Sequence, residues 1–151
     1  MLRNVAPLLT PDILHALRAM GHGDEIAIVD ANFPAASNAK LLLRADGSNA
    51  VEMLRAVVQV MPLDTYDLPA GRFMKPVEEH GELPSIVSAF QSEIDRSADH
   101  PSKIAPVERF EFYERSQSAF AIISTGETRL YGNIILKKGV VTPSDLGTSS
   151  D

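Results

Sequence analysis

The sequence predicts an α/β fold: a mainly parallel β-sheet covered by helices. Helical and strand-like segments alternate along the chain, as they do when each strand is followed by a crossover helix. The strand-like segments are rich in Ile, Val and Ala on both faces, the pattern of a sheet buried on both sides. No linker or internal repeat divides the 151 residues, a length that suits one domain with a substantial core.

The elements follow in order. Thr10-Pro11-Asp12 starts a helix: threonine caps, proline fits the first turn, and aspartate suits its positive end. Ile13, Leu14, Leu17 and Met20 keep the helical period, and Gly21 stops it. Residues 26–29, Ile-Ala-Ile-Val, read as a buried strand ending in Asp30, after which Phe33-Pro34 breaks regular structure. Ser48 or Asn49 opens a second helix, with Glu52 as the partner in a capping box and Val51, Leu54, Val57 and Val58 as its apolar face. Short strands are expected at 63–66 and 74–77, the latter weakened by Pro76. Leu83-Pro84-Ser85 opens a third helix to about Asp95, and 96–106 reads as a loop. Residues 108–118 have helical spacing, 119–124 form a strand, Gly126 turns the chain, and 131–136 form the last strand. The domain is expected to occupy 1–143, with 144–151 as a polar tail.

Composition narrows the function classes. Net charge is −6, and Lys137-Lys138 is the largest basic cluster, which argues against nucleic acid or an anionic membrane as partner. The longest apolar runs are strand-sized, too short to span a bilayer. With no cysteine, thiol nucleophiles, disulfides and cysteine metal sites are excluded, which fits a reducing compartment. Pro7 interrupts the start before any long apolar run, so no signal peptide is visible and a cytoplasmic location is expected. His15, His22, His80 and His100 have no metal-ligand spacing, and no metal site is expected. Phosphate-loop, dinucleotide and nucleophile-elbow motifs are missing; Gly21-His22-Gly23 follows a helix rather than a strand.

Two stretches carry candidate chemistry. Met20-Gly21-His22-Gly23-Asp24-Glu25-Ile26 places an imidazole, which changes charge near neutrality, between two glycines that permit close ligand approach. His22 reads either as a proton-transfer residue or as an exposed residue after a helix C-cap. Asp30, at the carboxyl end of the first strand, stands where open α/β sheets bind ligands; it reads as a hydroxyl acceptor or as an Asx turn into Ala31-Asn32-Phe33-Pro34. Tyr131-Gly132-Asn133 offers donors and acceptors for hydroxyls, or is simply the turn before a strand. Arg109 precedes an aromatic run and is either a surface residue paired to a carboxylate such as Glu114 or part of a pocket wall.

Taken together, Met20–Ile26, Asp30-Ala-Asn-Phe-Pro34, Arg44-Ala-Asp-Gly47, Phe112-Tyr-Glu-Arg115, Ala119-Phe-Ala121, Thr125-Gly-Glu127 and Tyr131-Gly-Asn-Ile-Ile-Leu-Lys-Lys-Gly139 resemble the fucose mutarotase and ribose pyranase family, in particular its fucose branch. The resemblance runs from about residue 1 to 143. It implies a three-layer α/β/α fold, a ring-like homo-oligomer (typically a decamer), and cofactor-free interconversion of the anomers of a free monosaccharide, L-fucose foremost. By motif, His22 matches the family's proton donor and Asp30 a substrate-binding acid. Arg109 falls where the fucose branch has a substrate-contacting arginine, and Tyr131, Gly132 and Asn133 match the sugar-binding turn. Phe33 or Phe110 is the side chain expected beside the sugar's C6 methyl. Asn32 and Ala36 replace histidines found in some fucose-branch members, and 67–106 matches only loosely. Ribose pyranase and a non-catalytic sugar-binding or transport-associated protein remain the alternative readings.

Overall fold

Alternation along one strand sets the architecture. In the computed structural model, which describes residues 1–77 and 81–147, β1 (Glu25–Val29) is buried on both faces. Ile26 and Ile28 enter one apolar core, Ala27 and Val29 a second. The first core is closed by α1 (Pro11–Ala19), α3 (Ala50–Val58) and α4 (Ser85–Ser97); the second by α2 (Ala35–Asn38) and α5 (Arg109–Ser118). The result is the three-layer α/β/α arrangement.

The sheet between the layers also contains β2 (Leu42–Ala45), β3 (Gly71–Met74), β4 (Ala105–Val107), β5 (Ala121–Thr125) and β6 (Ile134–Lys137), in the order β2-β5-β1-β6-β3-β4. Pairs β2·β5, β1·β5 and β3·β4 are parallel, whereas β6 runs antiparallel to both β1 and β3. Five strands therefore share one direction and β6 opposes them. This reversal sets the site. The amino end of β6, with Tyr131-Gly132-Asn133, meets the carboxyl end of β1 with Asp30. Its carboxyl end, with Lys137-Lys138, meets the loop carrying His22.

The starts of α1 and α3 follow the sequence signals, and the start of α5 adds a cap that the spacing did not mark. Thr10 Oγ1 accepts the Ile13 N–H at 3.3 Å. Asn49 and Glu52 form a reciprocal capping box, at 2.9 and 3.2 Å. Glu108 caps α5 by accepting the Phe110 and Glu111 N–H groups.

Three local expectations change, and one strand, β2, was not foreseen. Residues 63–66 form no strand: Leu63 bridges Lys138, and the Asp64 carboxylate then accepts the N–H groups of Tyr66 and Asp67, which turns the chain. The strand expected at 74–77 lies earlier, at Gly71–Met74, because Pro76 brings no donor to a ladder. Part of the loop expected at 96–106 is β4, an edge strand that tolerates Pro106. β2, the opposite edge, is half-exposed and lacks the long apolar run of the central strands. Beyond Val141, Thr142 and Asp145 close a hydrogen-bonded turn; residues 148–151 of the expected tail lie outside the described part of the chain.

Candidate functional site

Asp30 and Asn133 form the centre of the carboxyl edge. Both are buried, and each satisfies the other: the Asp30 N–H donates to Asn133 Oδ1, and Asn133 Nδ2 donates to Asp30 Oδ2, each at 2.9 Å. Asp30 Oδ1 also accepts the Asn32 N–H at 2.9 Å, so the Asx turn is present. The turn leaves hydrogen-bonding capacity over, because each carboxylate oxygen keeps a lone pair and Asn133 keeps an N–H.

The turn before Asn133 is tightly built. A Cβ on Gly132 would lie 2.7 Å from Glu127 Cγ and 3.3 Å from Asp30 Cβ, so only glycine fits without displacing the carboxylate. Tyr131 has φ +62°, a left-handed backbone costly for a bulky residue and typical of functional turns. Its hydroxyl accepts the Val77 N–H at 3.3 Å. Buried Glu127 holds the turn from behind. It pairs with Arg129 through two side-chain hydrogen bonds of 3.0 and 2.9 Å and accepts the Ala50 N–H at the start of α3. The Arg129 pairing, opposed by burial, keeps Glu127 below the ordinary carboxylate range.

Asp30, Tyr131 and Asn133 line a cavity of about 210 Å³ that also takes in Phe33, Met74, Arg109 and Tyr113. Arg109, the first residue of α5, lies with its guanidinium 5.0 Å from the Phe110 ring centroid. Phe110 is exposed and lies outside this cavity, whereas Phe33 is on its wall with its ring against Phe112 and Tyr113. Asn32 is at the rim; Ala36 lines a larger hollow of about 410 Å³ beside β2 and β5. The charged groups of that larger hollow, Arg44 and Asp46, are solvent-exposed and paired to each other. The smaller cavity, with buried polar groups converging on it, is the better candidate.

His22 is elsewhere. It precedes β1 while Asp30 follows it, so within one chain the two are separated by the length of the strand, roughly 15–20 Å. Its Nε2 lies 3.0 Å from Asp64 Oδ1. Asp64 is buried, which pushes its carboxyl up; hydrogen bonds from the Tyr66 N–H, His22 and the Asp67 N–H outweigh this and hold it below the usual range. An ionised Asp64 makes Nε2 the protonated nitrogen and leaves Nδ1 free for chemistry. The imidazole is 45% exposed and its ring centroid is 5.5 Å from that of Tyr66.

The end of β6 brings His22 and Asp64 together across 42 positions of sequence. Gly23 N–H donates to Lys138 O, Lys138 N–H to Asp24 O, and Asp64 N–H to Lys137 O. A Cβ on Gly139 would be 2.4 Å from Leu63 O, so glycine is needed where the two segments are layered. Lys138 Nζ donates to Leu17 O and Met20 O, at 2.7 and 2.6 Å, placing a cation on the last carbonyls of α1 just before the His22 loop.

The structure thus gathers Asp30, Arg109, Tyr131, Gly132 and Asn133 at one edge and leaves His22 at the other. Sequence reasoning missed Asp64 and Tyr66 beside His22, and Met74 and Tyr113 in the cavity. The Asx-turn signal of Asp64-Thr65-Tyr66 was the available clue to the first pair. Among the described residues, no group of three or more His, Asp or Glu is placed to hold a metal ion, and no helix is long and apolar enough to cross a membrane.

Comparison with known proteins places these features in context. Residues 3–141 match the RbsD / FucU transport protein family. The chain is 45% identical to a fucose mutarotase of Homo sapiens, covering 96% of this chain and 97% of that protein, and 43% identical to one of Danio rerio with the same coverage. The crystal structure of the fucose mutarotase from Streptococcus pneumoniae in complex with L-fucose is 44% identical. It superposes with a TM-score of 0.86 over 93% of this chain and 100% of that one.

Proposed function

The chain belongs to the RbsD / FucU transport protein family, and from that premise we propose that it is a fucose mutarotase, an isomerase that interconverts the α and β anomers of L-fucose. The observation that carries the proposal is the carboxyl-edge cavity, built on the Asp30–Asn133 pair, in a chain similar along its whole length to fucose mutarotases.

Mutarotation needs a proton delivered to the ring oxygen and one withdrawn from the anomeric hydroxyl. The bond between C1 and the ring oxygen then breaks as the C1 carbonyl forms. Rotation about C1–C2 and closure on the other carbonyl face reverse both transfers, so atoms and charge balance without an added reagent. General acid and base assistance is worth ~10²–10⁴-fold in such a step. In this reading the His22 imidazolium gives its Nδ1 proton to the ring oxygen, with Asp64 holding the imidazole from Nε2. Asp30 accepts the anomeric proton. Asn133, Tyr131, Arg109 and the open backbone at Gly132 hold the remaining hydroxyls.

The distance between His22 and Asp30 within one chain adds a requirement: the site is shared, with His22 and Asp64 of one subunit facing the cavity of the next. A homo-oligomeric ring, a decamer, supplies such an arrangement, because a repeated head-to-tail contact brings opposite edges of neighbouring chains together. A cytoplasmic setting, consistent with the lack of cysteine, completes the reading.

The test is magnetisation exchange between the anomeric protons of L-fucose, run in parallel with D-ribose. Faster exchange with fucose supports the mutarotase. Acceleration confined to ribose identifies a pyranase, and binding without acceleration identifies a sugar-binding protein.

A further inference from the structure

We infer that Met74, Val77 and Leu130 form a wall that takes the C6 methyl group of the sugar, making the cavity selective for 6-deoxyhexoses over the same sugars carrying a 6-hydroxyl. The inference rests on the fucose mutarotase reading and names the specificity of its site.

The strand order sets a gradient of polarity along the cavity floor. β6 lies between β1 and β3, so Asp30 is on one side of Asn133 and Met74 on the other. Asn133 is tied to both: its side chain pairs with Asp30, and its carbonyl accepts the Met74 N–H at 3.3 Å. The floor therefore runs from a carboxylate through a carboxamide to a thioether. Met74 is 4% exposed, and its side chain carries no strong donor or acceptor. Val77 and Leu130 extend this apolar end at the rim, where both are exposed. Val77 is fixed there by its N–H bond to the Tyr131 hydroxyl, and Leu130 by its place beside the strained Tyr131.

A 6-deoxyhexopyranose has a matching division, with hydroxyls at C1 to C4 and a methyl on C5. With hydroxyls on Asp30 and Asn133, the methyl points along the floor to Met74. A 6-hydroxyl placed there gives up water and finds no partner. Phe110 lies outside the cavity and takes no part in this selection, whereas Phe33, its ring against Phe112 and Tyr113, stays on the cavity wall.

The experiment compares anomeric exchange for L-fucose, L-galactose (which adds the 6-hydroxyl) and D-arabinose (the same ring configuration without C6). Wild-type kcat/KM is expected to be about 10–100-fold lower for L-galactose and about tenfold lower for D-arabinose, the range for one misplaced hydroxyl or one missing methyl in an apolar pocket. Val77→Thr and Leu130→Gln, at exposed positions where folding is not at risk, should narrow the L-fucose to L-galactose ratio several-fold. Equal wild-type rates for the two hexoses, or a ratio unchanged in both variants, would overturn the inference. If L-fucose exchange is not accelerated at all, the mutarotase reading fails. Dissociation constants for the same two sugars then decide the wall separately: tighter fucose binding supports it, and equal binding refutes it.

Discussion

Asn133 answers for two buried groups at once, the Asp30 N–H and one Asp30 carboxylate oxygen. Asn133→Ala leaves both without a partner, and denaturant titration should show a loss of about 1–3 kcal/mol, with sugar binding weakened as well. His22→Ala takes one of three partners from the buried Asp64 carboxylate and should cost about 1 kcal/mol of stability, yet lower anomeric exchange by ~10²–10⁴-fold. Asp30 and Tyr131-Gly132-Asn133 were legible in the sequence because polar residues at the ends of buried strands stand out against their apolar neighbours. Asp64 was not. It sits in a short run, Met61-Pro62-Leu63-Asp64, whose neighbours suggest a strand, and its partner is 42 positions away. Long-range pairing of that kind leaves no local pattern.

At the scale of elements, capped helices were easy to read and edge strands were not. α1 and α3 each announce a capping residue and an apolar period, and both signals are local. β2 and β4 are short, partly exposed and, in β4, interrupted by proline. Helix contacts also carry the clearest pH dependence. Glu93 on α4 is buried and accepts from Arg55 on α3 at 3.0 Å through both oxygens, and from Arg96 and Ser97. Burial pushes its carboxyl up, but these bonds overcome it and bring the pKa down from 4.5 to about 2. A depressed carboxylate stabilises the fold above its unfolded pKa and stops doing so as pH falls through the folded one. Stability should therefore decline between pH 4.5 and about 2. Glu93→Gln should cost about 2–3 kcal/mol near neutrality and flatten that decline, as followed by urea denaturation at several pH values. Lys138→Met tests the link between α1 and the His22 loop. Losing two charge-assisted bonds to helix-end carbonyls should cost roughly 1.5–3 kcal/mol in the same titrations. It should also reduce exchange while leaving fucose affinity at the opposite edge less affected.

For the whole molecule, the decisive feature is the reversed strand β6. The alternation of helices and strands foretold a mainly parallel sheet, but not which strand would oppose the rest. Because β6 does, one continuous stretch from Tyr131 to Gly139 builds both edges, the turn beside the cavity at its start and the support of His22 and Asp64 at its end. The two halves of the proposed chemistry are thereby fixed to one rigid strand and held apart by its length. A single subunit with His22→Ala lacks the proposed proton donor, and one with Asp30→Asn lacks the proposed sugar-binding carboxylate. If the site is shared, an oligomer reassembled from equal amounts of the two contains intact sites wherever an Asp30→Asn chain lends its His22 to the cavity of a His22→Ala chain. The most direct measurement is anomeric exchange of L-fucose by this mixture. Each variant alone should be nearly inactive and the mixture should regain about one quarter of wild-type activity, as random assortment in a symmetric ring requires. A mixture no more active than its components would contradict the shared site, and undiminished exchange by His22→Ala alone would contradict the proton donor itself.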